Sequence, residues 1–269
     1  MEVVTQKHGI FKQLVWGFRQ YPEALSFIVK HKMWWAFLFP LVFNVLLFYL
    51  GIQAVNDASV WVLDQIKGWI SFDGFEEETQ GFLNSSLEII LWIVFKLMFF
   101  LLYAYIGGYV VIIVLSPFLS FVSERAEKAN GGTLPPFKLG TFFYNIYRGI
   151  VIALRSFLYQ TLLSLLILLL SFIPLVNLAV PFLLFLVSAF FYGFAFMDYF
   201  LERRISSISE SIDFIKKRRL ITMALGLPFS IVLAVPYVGS FLAGFVTIVA
   251  AVAATLYLMD KESKIPQKA

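Results

Sequence analysis

The sequence contains no cysteine. Disulfides, thiolate metal sites and cysteine nucleophiles are therefore excluded. Charge is scarce as well: 14% of residues are Asp, Glu, Lys or Arg, against about 25% in a soluble domain. Histidine occurs twice, as His8 and His31, both ahead of the first long apolar run. No paired-histidine zinc motif, P-loop or dinucleotide glycine fingerprint is present. No acidic residue interrupts the long apolar runs, so a carboxylate proton relay through them is not expected. Together these absences remove the chemistry of an intramembrane enzyme or a nucleotide-driven pump, and no cofactor or metal is expected. The N-terminal stretch carries Glu2, Lys7, Lys12 and Arg19 before any long apolar run, the wrong order for a cleaved secretory signal.

What is abundant is apolar surface. Of 269 residues, 60% are hydrophobic, 31 are Phe, and the mean hydropathy is +0.85. A soluble core of this size cannot enclose that much, so lipid is the expected solvent. The net charge is +4 with a pI near 9.1. In a membrane protein this reads as the positive-inside bias, not as a nucleic-acid footprint.

Four apolar runs organise the chain. Residues 33–56 hold no charge, with Trp34 and Trp35 at one end where an aromatic belt belongs. Residues 89–122 are interrupted only by Lys96, which reads as a snorkelling lysine near a helix end. Gly107 and Gly108 there would let another helix pack closely. Each run is long enough to span once. Residues 156–197 and 220–259 are uncharged and carry prolines near their middles, Pro174 and Pro236. Each reads as two helices joined by a tight turn. Three of these four helices come out at about 15–17 residues, just short of a bilayer core about 30 Å thick. The two runs also share a pattern of basic lead-in, apolar helix, Pro-x-Val turn and second helix. Such proline-interrupted pairs point to a transport site, or are two ordinary hairpins. The expected fold is all-α: one integral membrane domain with two long transmembrane helices (33–56, 89–122), two Pro-broken hairpins (156–197, 220–259), full or re-entrant, and amphipathic interfacial helices.

Charge asymmetry predicts orientation. Residues 1–32 hold five Lys or Arg, residues 57–88 one against seven acids, residues 123–155 five, residues 198–219 six and the tail from Asp260 three. The basic segments, and with them both termini, are expected on the cytoplasmic side of the inner membrane. Three polar segments read as amphipathic helices: around Val62–Ile70, over 137–154, and over Ile205–Ile215, where Ile205, Ile208, Ile212 and Ile215 share a face. Polar groups within the runs are small, among them Ser116, Ser164, Asn177, Ser230, Thr247 and Thr255.

The candidate binding chemistry is cationic. Arg148, Arg155 and Lys216 to Arg219 precede the broken helices, where free N–H groups and the helix dipole attract anions. The positive-inside rule and lipid headgroup contact account for the same charges.

Several stretches, in order, resemble the CysZ-type sulfate permeases and the wider etoposide-induced protein family. They are Pro40-Leu41-Val42-Phe43-Asn44, Ser116-Pro117-Phe118 with Ser123-Glu124, Phe172-Ile173-Pro174, Asp198-Tyr199 and Val235-Pro236. The resemblance covers nearly the whole chain. It implies two spanning helices, two partly penetrating pairs, a homo-oligomer around a permeation route, and sulfate uptake for cysteine synthesis. It marks Pro40, Asn44, Pro117, Glu124, Pro174, Asp198 and Pro236 as structural positions. The family's Gly-Leu-Arg-like anion element falls on Lys32-Met33-Trp34-Trp35, so only Lys30, His31 and Lys32 remain basic there. The expected substrate-binding residues are therefore Lys30, His31 and Lys32, with Arg148 and Arg155 at the mouth. Asp198 is expected to cap a helix or to pair with nearby arginines such as Arg203, a structural role. The leading reading is a permease or channel for a small inorganic anion in the lipid bilayer. The alternative is a membrane scaffold or lipid-interacting protein of the same fold, one that transports nothing.

Overall fold

The structure, a computed structural model, describes residues 10–69, 77–132, 139–205, 207–235 and 238–260. Pro236, the stretches 70–76 and 133–138, and the side chains of Asn44 and Lys96 lie outside the described set, as does the burial of Gly107 and Gly108. Among the described residues the regular structure is helical: α1 (Ile10–Lys30), α2 (Leu38–Trp69), α3 (Glu77–Ala129), α4 (Leu139–Leu169), α5 (Pro174–Asn177), α6 (Val180–Leu201), α7 (Ile208–Lys216), α8 (Arg219–Leu233) and α9 (Val238–Asp260). Short 3-10 turns at Met33–Phe37 and Leu170–Phe172 lead into α2 and α5. The protein is an all-α, multi-pass membrane protein: Leu139–Phe172, Val180–Leu201 and Phe241–Asp260 are each long and apolar enough to cross a bilayer.

The helices overrun the apolar runs that define them. α4 has 31 residues and α6 has 22, about 46 and 33 Å at the usual rise. The expectation of short, sub-bilayer helices in the first hairpin is therefore corrected. The cause is continuity: the segment read as a separate amphipathic helix over 137–154 is, from Leu139 onward, the first half of α4. No proline breaks it, and its one deeply placed cation is neutralised by a buried partner. The second hairpin keeps the short helix that was expected, with 15 residues in α8 before the 23 of α9. Likewise α2 continues from the first apolar run to Trp69, and α3 continues through Pro117 to Ala129.

Two compact units result, residues 1–40 with 108–269, and residues 41–107. In the first, α6 is the central helix, packed by α4, α8 and α9, and α1 lies on α8 and α9. Small residues make this possible. Gly193 of α6 and Gly226 of α8 face each other so closely that a Cβ on either would overlap the other helix's backbone, at the Thr222 and Ala189 carbonyls. Ala250, Ala251, Ala253 and Ala254 bring α9 into the same core, all fully buried. Close backbone approach of this kind is how apolar helices associate where lipid removes the hydrophobic drive. α1 adds the Tyr21 phenol, which donates a hydrogen bond to the Leu225 carbonyl of α8. The second unit comprises the α2 stretch 41–69 and the α3 stretch 77–107. Most of its described apolar side chains, such as Leu46, Trp61, Ile89, Trp92 and Met98, are exposed.

α7 is amphipathic as expected. Its apolar side, Phe214 and Ile215, is buried, and it packs against α6 and α8. It caps the bundle.

Candidate functional site

Lys30 closes α1, where a cation complements the negative helix end. His31 and Lys32 form the joint to the following 3-10 turn. The backbone of Lys32 is left-handed, φ 55° and ψ 36°, the one positive φ at a non-glycine residue among the described residues. This sharp joint turns Lys32 away from the buried Met33 and Ala36. Both lysines are exposed. His31 is held more firmly: its Nδ1 lies 3.0 Å from the Phe27 carbonyl oxygen and its ring stacks on Phe27, 3.9 Å between centroids. The three successive basic residues thus form one corner, the two lysines exposed and His31 half-buried between them.

Arg148 and Arg155 do not join it. They lie on α4, whose packing partner is α6, whereas α1 packs on α8 and α9. Arg155 is exposed, with its guanidinium 5.4 Å from the centre of the Tyr159 ring. Arg148 is a correction. It is fully buried and grips Asp198 with two bonds, Nε to Oδ2 at 3.3 Å and Nη2 to Oδ1 at 2.9 Å. Its remaining donors reach the Ile205 carbonyl (2.7 Å) and Ser211 Oγ (2.6 Å). A guanidinium so engaged binds α4 to α6 and α7. Its donors are taken up inside the bundle, so it is not exposed as Arg155 is. Asp198 accordingly pairs with Arg148, not with Arg203.

A second set of ions lies beside this pair and escaped the sequence reading. Glu127 of α3 is fully buried and accepts from Arg203 Nε at 3.0 Å and from Arg204 Nη2 at 2.5 Å. Arg203 also donates to Ser123 Oγ (2.8 Å), which meets Thr255 Oγ1 at the same distance. Glu202 accepts from Ser120 Oγ. Burial, and then the neighbouring Asp198 charge, push its carboxyl up to about 8, against the pull of Ser120, Arg203 and Arg148. Ser120, Ser123 and Glu127 recur at helical spacing on one face of α3, and Asp198 of α6 and Glu202 at its C-cap are one turn apart. That spacing was the available signal. The flanking apolar composition hid it, because the residues follow the run instead of interrupting it. Of the structural positions, Pro40 is buried in the first turn of α2, Pro117 and Glu124 are half-buried in α3, and Pro174 is exposed as the first residue of α5.

Residues 21–244 match the family described as Sulfate transporter CysZ/Etoposide-induced protein 2.4. The chain belongs to this family. The sulfate transporter CysZ of Pseudomonas aeruginosa is 27% identical over 249 residues, covering 90% of this chain and 94% of the relative. That of Pseudomonas paraeruginosa gives the same figures. That of Pseudomonas fluorescens is 26% identical over 222 residues, covering 80% and 83%. The matched region takes in the basic corner, the α4–α6 ion pair, the first hairpin and the second as far as the start of α9, and the ordered motifs from Pro40 to Pro236 all fall inside it.

Proposed function

We propose that this protein carries sulfate, or a closely similar inorganic oxyanion, across the inner membrane. The observation that carries the reading is the family match over residues 21–244 together with relatives named as sulfate transporters at near full-length coverage. In this reading Lys30, His31 and Lys32 form the anion site and Arg155 stands at a mouth, with Arg148 acting through the fold. A lysine is a compact, strongly hydrated point charge without arginine's bidentate fork. Two of them offset a divalent anion without locking it in place, which suits a site that must also release its ion. Passive flow through a homo-oligomer, with both termini cytoplasmic, completes the proposal.

The test is uptake into proteoliposomes, with sulfate, sulfite, chloride and phosphate side by side, on the parent and on Lys32→Ala. Sulfate uptake above empty liposomes, slowed about tenfold or more by loss of the lysine charge, is expected; the loss of one charge-assisted contact is worth about that much. No flux of any anion would leave a membrane scaffold as the better reading.

A further inference from the structure

Four successive cations, Lys216 to Arg219, join α7 to α8, and the structure sorts them into two kinds. Arg218 is turned inward. Its guanidinium stacks 3.7 Å from the centre of the Phe214 ring, its Nη1 donates to the Phe214 carbonyl at 3.1 Å, and it interacts with the Tyr257 phenol of α9. Lys216, Lys217 and Arg219 are turned outward and exposed. The anchoring of Arg218 fixes the turn, so the other three are splayed within about 10 Å of chain. The nearest carboxylates on α7, Glu210 and Asp213, are exposed and make no ion pair with them among the described residues. The turn also has a defined height. Tyr257 stands one turn from the end of the Phe241–Asp260 span, so the cations lie where the apolar helices stop and headgroups begin.

We propose that this turn is a docking site for the phosphate of anionic phospholipid headgroups, held by Lys216, Lys217 and Arg219. Lipid is the partner because the site borders a spanning helix, and because basic clusters next to such helices attract anionic leaflets. Arg218 has no part in binding; it orients the other three.

The test is binding, read without any transport. Purified, delipidated full-length protein in detergent is titrated with phosphatidylglycerol, phosphatidylcholine or inorganic phosphate. Bound lipid is counted by native mass spectrometry, and melting without lipid monitors the fold. Phosphatidylglycerol alone is expected to bind in the low-salt buffer. The Lys216→Ala/Lys217→Ala/Arg219→Ala variant should weaken it by on the order of a hundredfold, at about one headgroup attraction per cation. Arg125→Ala/Lys128→Ala, exposed cations on α3, should change it by less than about twofold. A Lys216→Arg/Lys217→Arg variant, which keeps charge and fold, should retain binding. Equal binding of phosphatidylcholine or of inorganic phosphate would overturn the proposal. Undiminished binding in the triple variant, loss in the arginine variant, or an equal loss in the α3 control would do the same.

Discussion

From residue 198 to 204 the chain buries Asp198, Glu202 and Arg204. At the other end of α6, Phe172, Leu175 and Leu178 are 84%, 86% and 84% exposed. Both stretches are helix ends of one bundle, yet one hides ions and the other displays hydrocarbon. The difference shows where each end finds its partner. Among the described residues of its own unit nothing covers the apolar tip, as suits a surface facing lipid. The charged end is completed within the chain, by Arg148, Glu127, Ser120, Ser123 and Ser211. Taking ions out of water is costly, and the pairs do little more than offset it. Their benefit is directional: a guanidinium fork fits one arrangement of α4, α6 and α7, whereas leucines would fit many.

Breaking the charged end should have the largest effect. Asp198→Ala leaves the buried Arg148 guanidinium without its carboxylate, at about 3–5 kcal/mol. The expected result is loss of monodisperse folded protein in detergent, seen by size-exclusion chromatography and melting. The double change Asp198→Leu with Arg148→Leu should recover much of it, since removing both charges removes the penalty. Full stability of the single variant would mean that the pair does not lock the helices. A smaller effect is expected from pH. Glu202 binds its proton up to about 8 in the fold, against an ordinary 4.5. In that interval the folded state holds a proton that the unfolded state has released, so stability falls as pH rises from about 4.5 to about 8 and levels off above. Glu202→Gln should flatten this slope and melt higher than the parent above pH 8; an unchanged slope would assign it to other groups. Smallest of all should be Leu175→Ser at the tip, within about 0.5 kcal/mol in detergent. A large loss there would mean that the tip is covered by protein.

The same contrast explains what the sequence made legible. An unbroken apolar run announces a membrane helix through composition alone, so the all-α membrane fold and the turn at Pro174 could be read directly. Helix length was harder, because Arg148, with Arg155, read as a basic lead-in ahead of the apolar run. Nothing in its neighbourhood in sequence says that Asp198, fifty residues on, neutralises it inside the bundle. The basic corner of Lys30, His31 and Lys32 was visible as a cluster, since it is local. The Glu127–Arg203–Arg204 set was not, because its members become a cluster only after α3 and α6 are packed. Long-range ion pairs leave no periodicity; only their poles can be seen, each resembling an ordinary flanking charge.

Pro228 lies inside α8 and has no N–H to offer the Ala224 carbonyl. At the next residue the carbonyl of Leu225 is taken by Tyr21 from α1, and Gly17 of α1 meets Ala224. These contacts join parts of the chain separated by 204 positions. That separation has a consequence for biosynthesis. A ribosome releases α1 well before α8, so α1 must wait through the insertion of every intervening helix before its groove exists. Loop-closure entropy makes so distant a contact slow to form. Final consolidation of the bundle is therefore a late, post-insertion event, and a helix made early is among the last to be fixed.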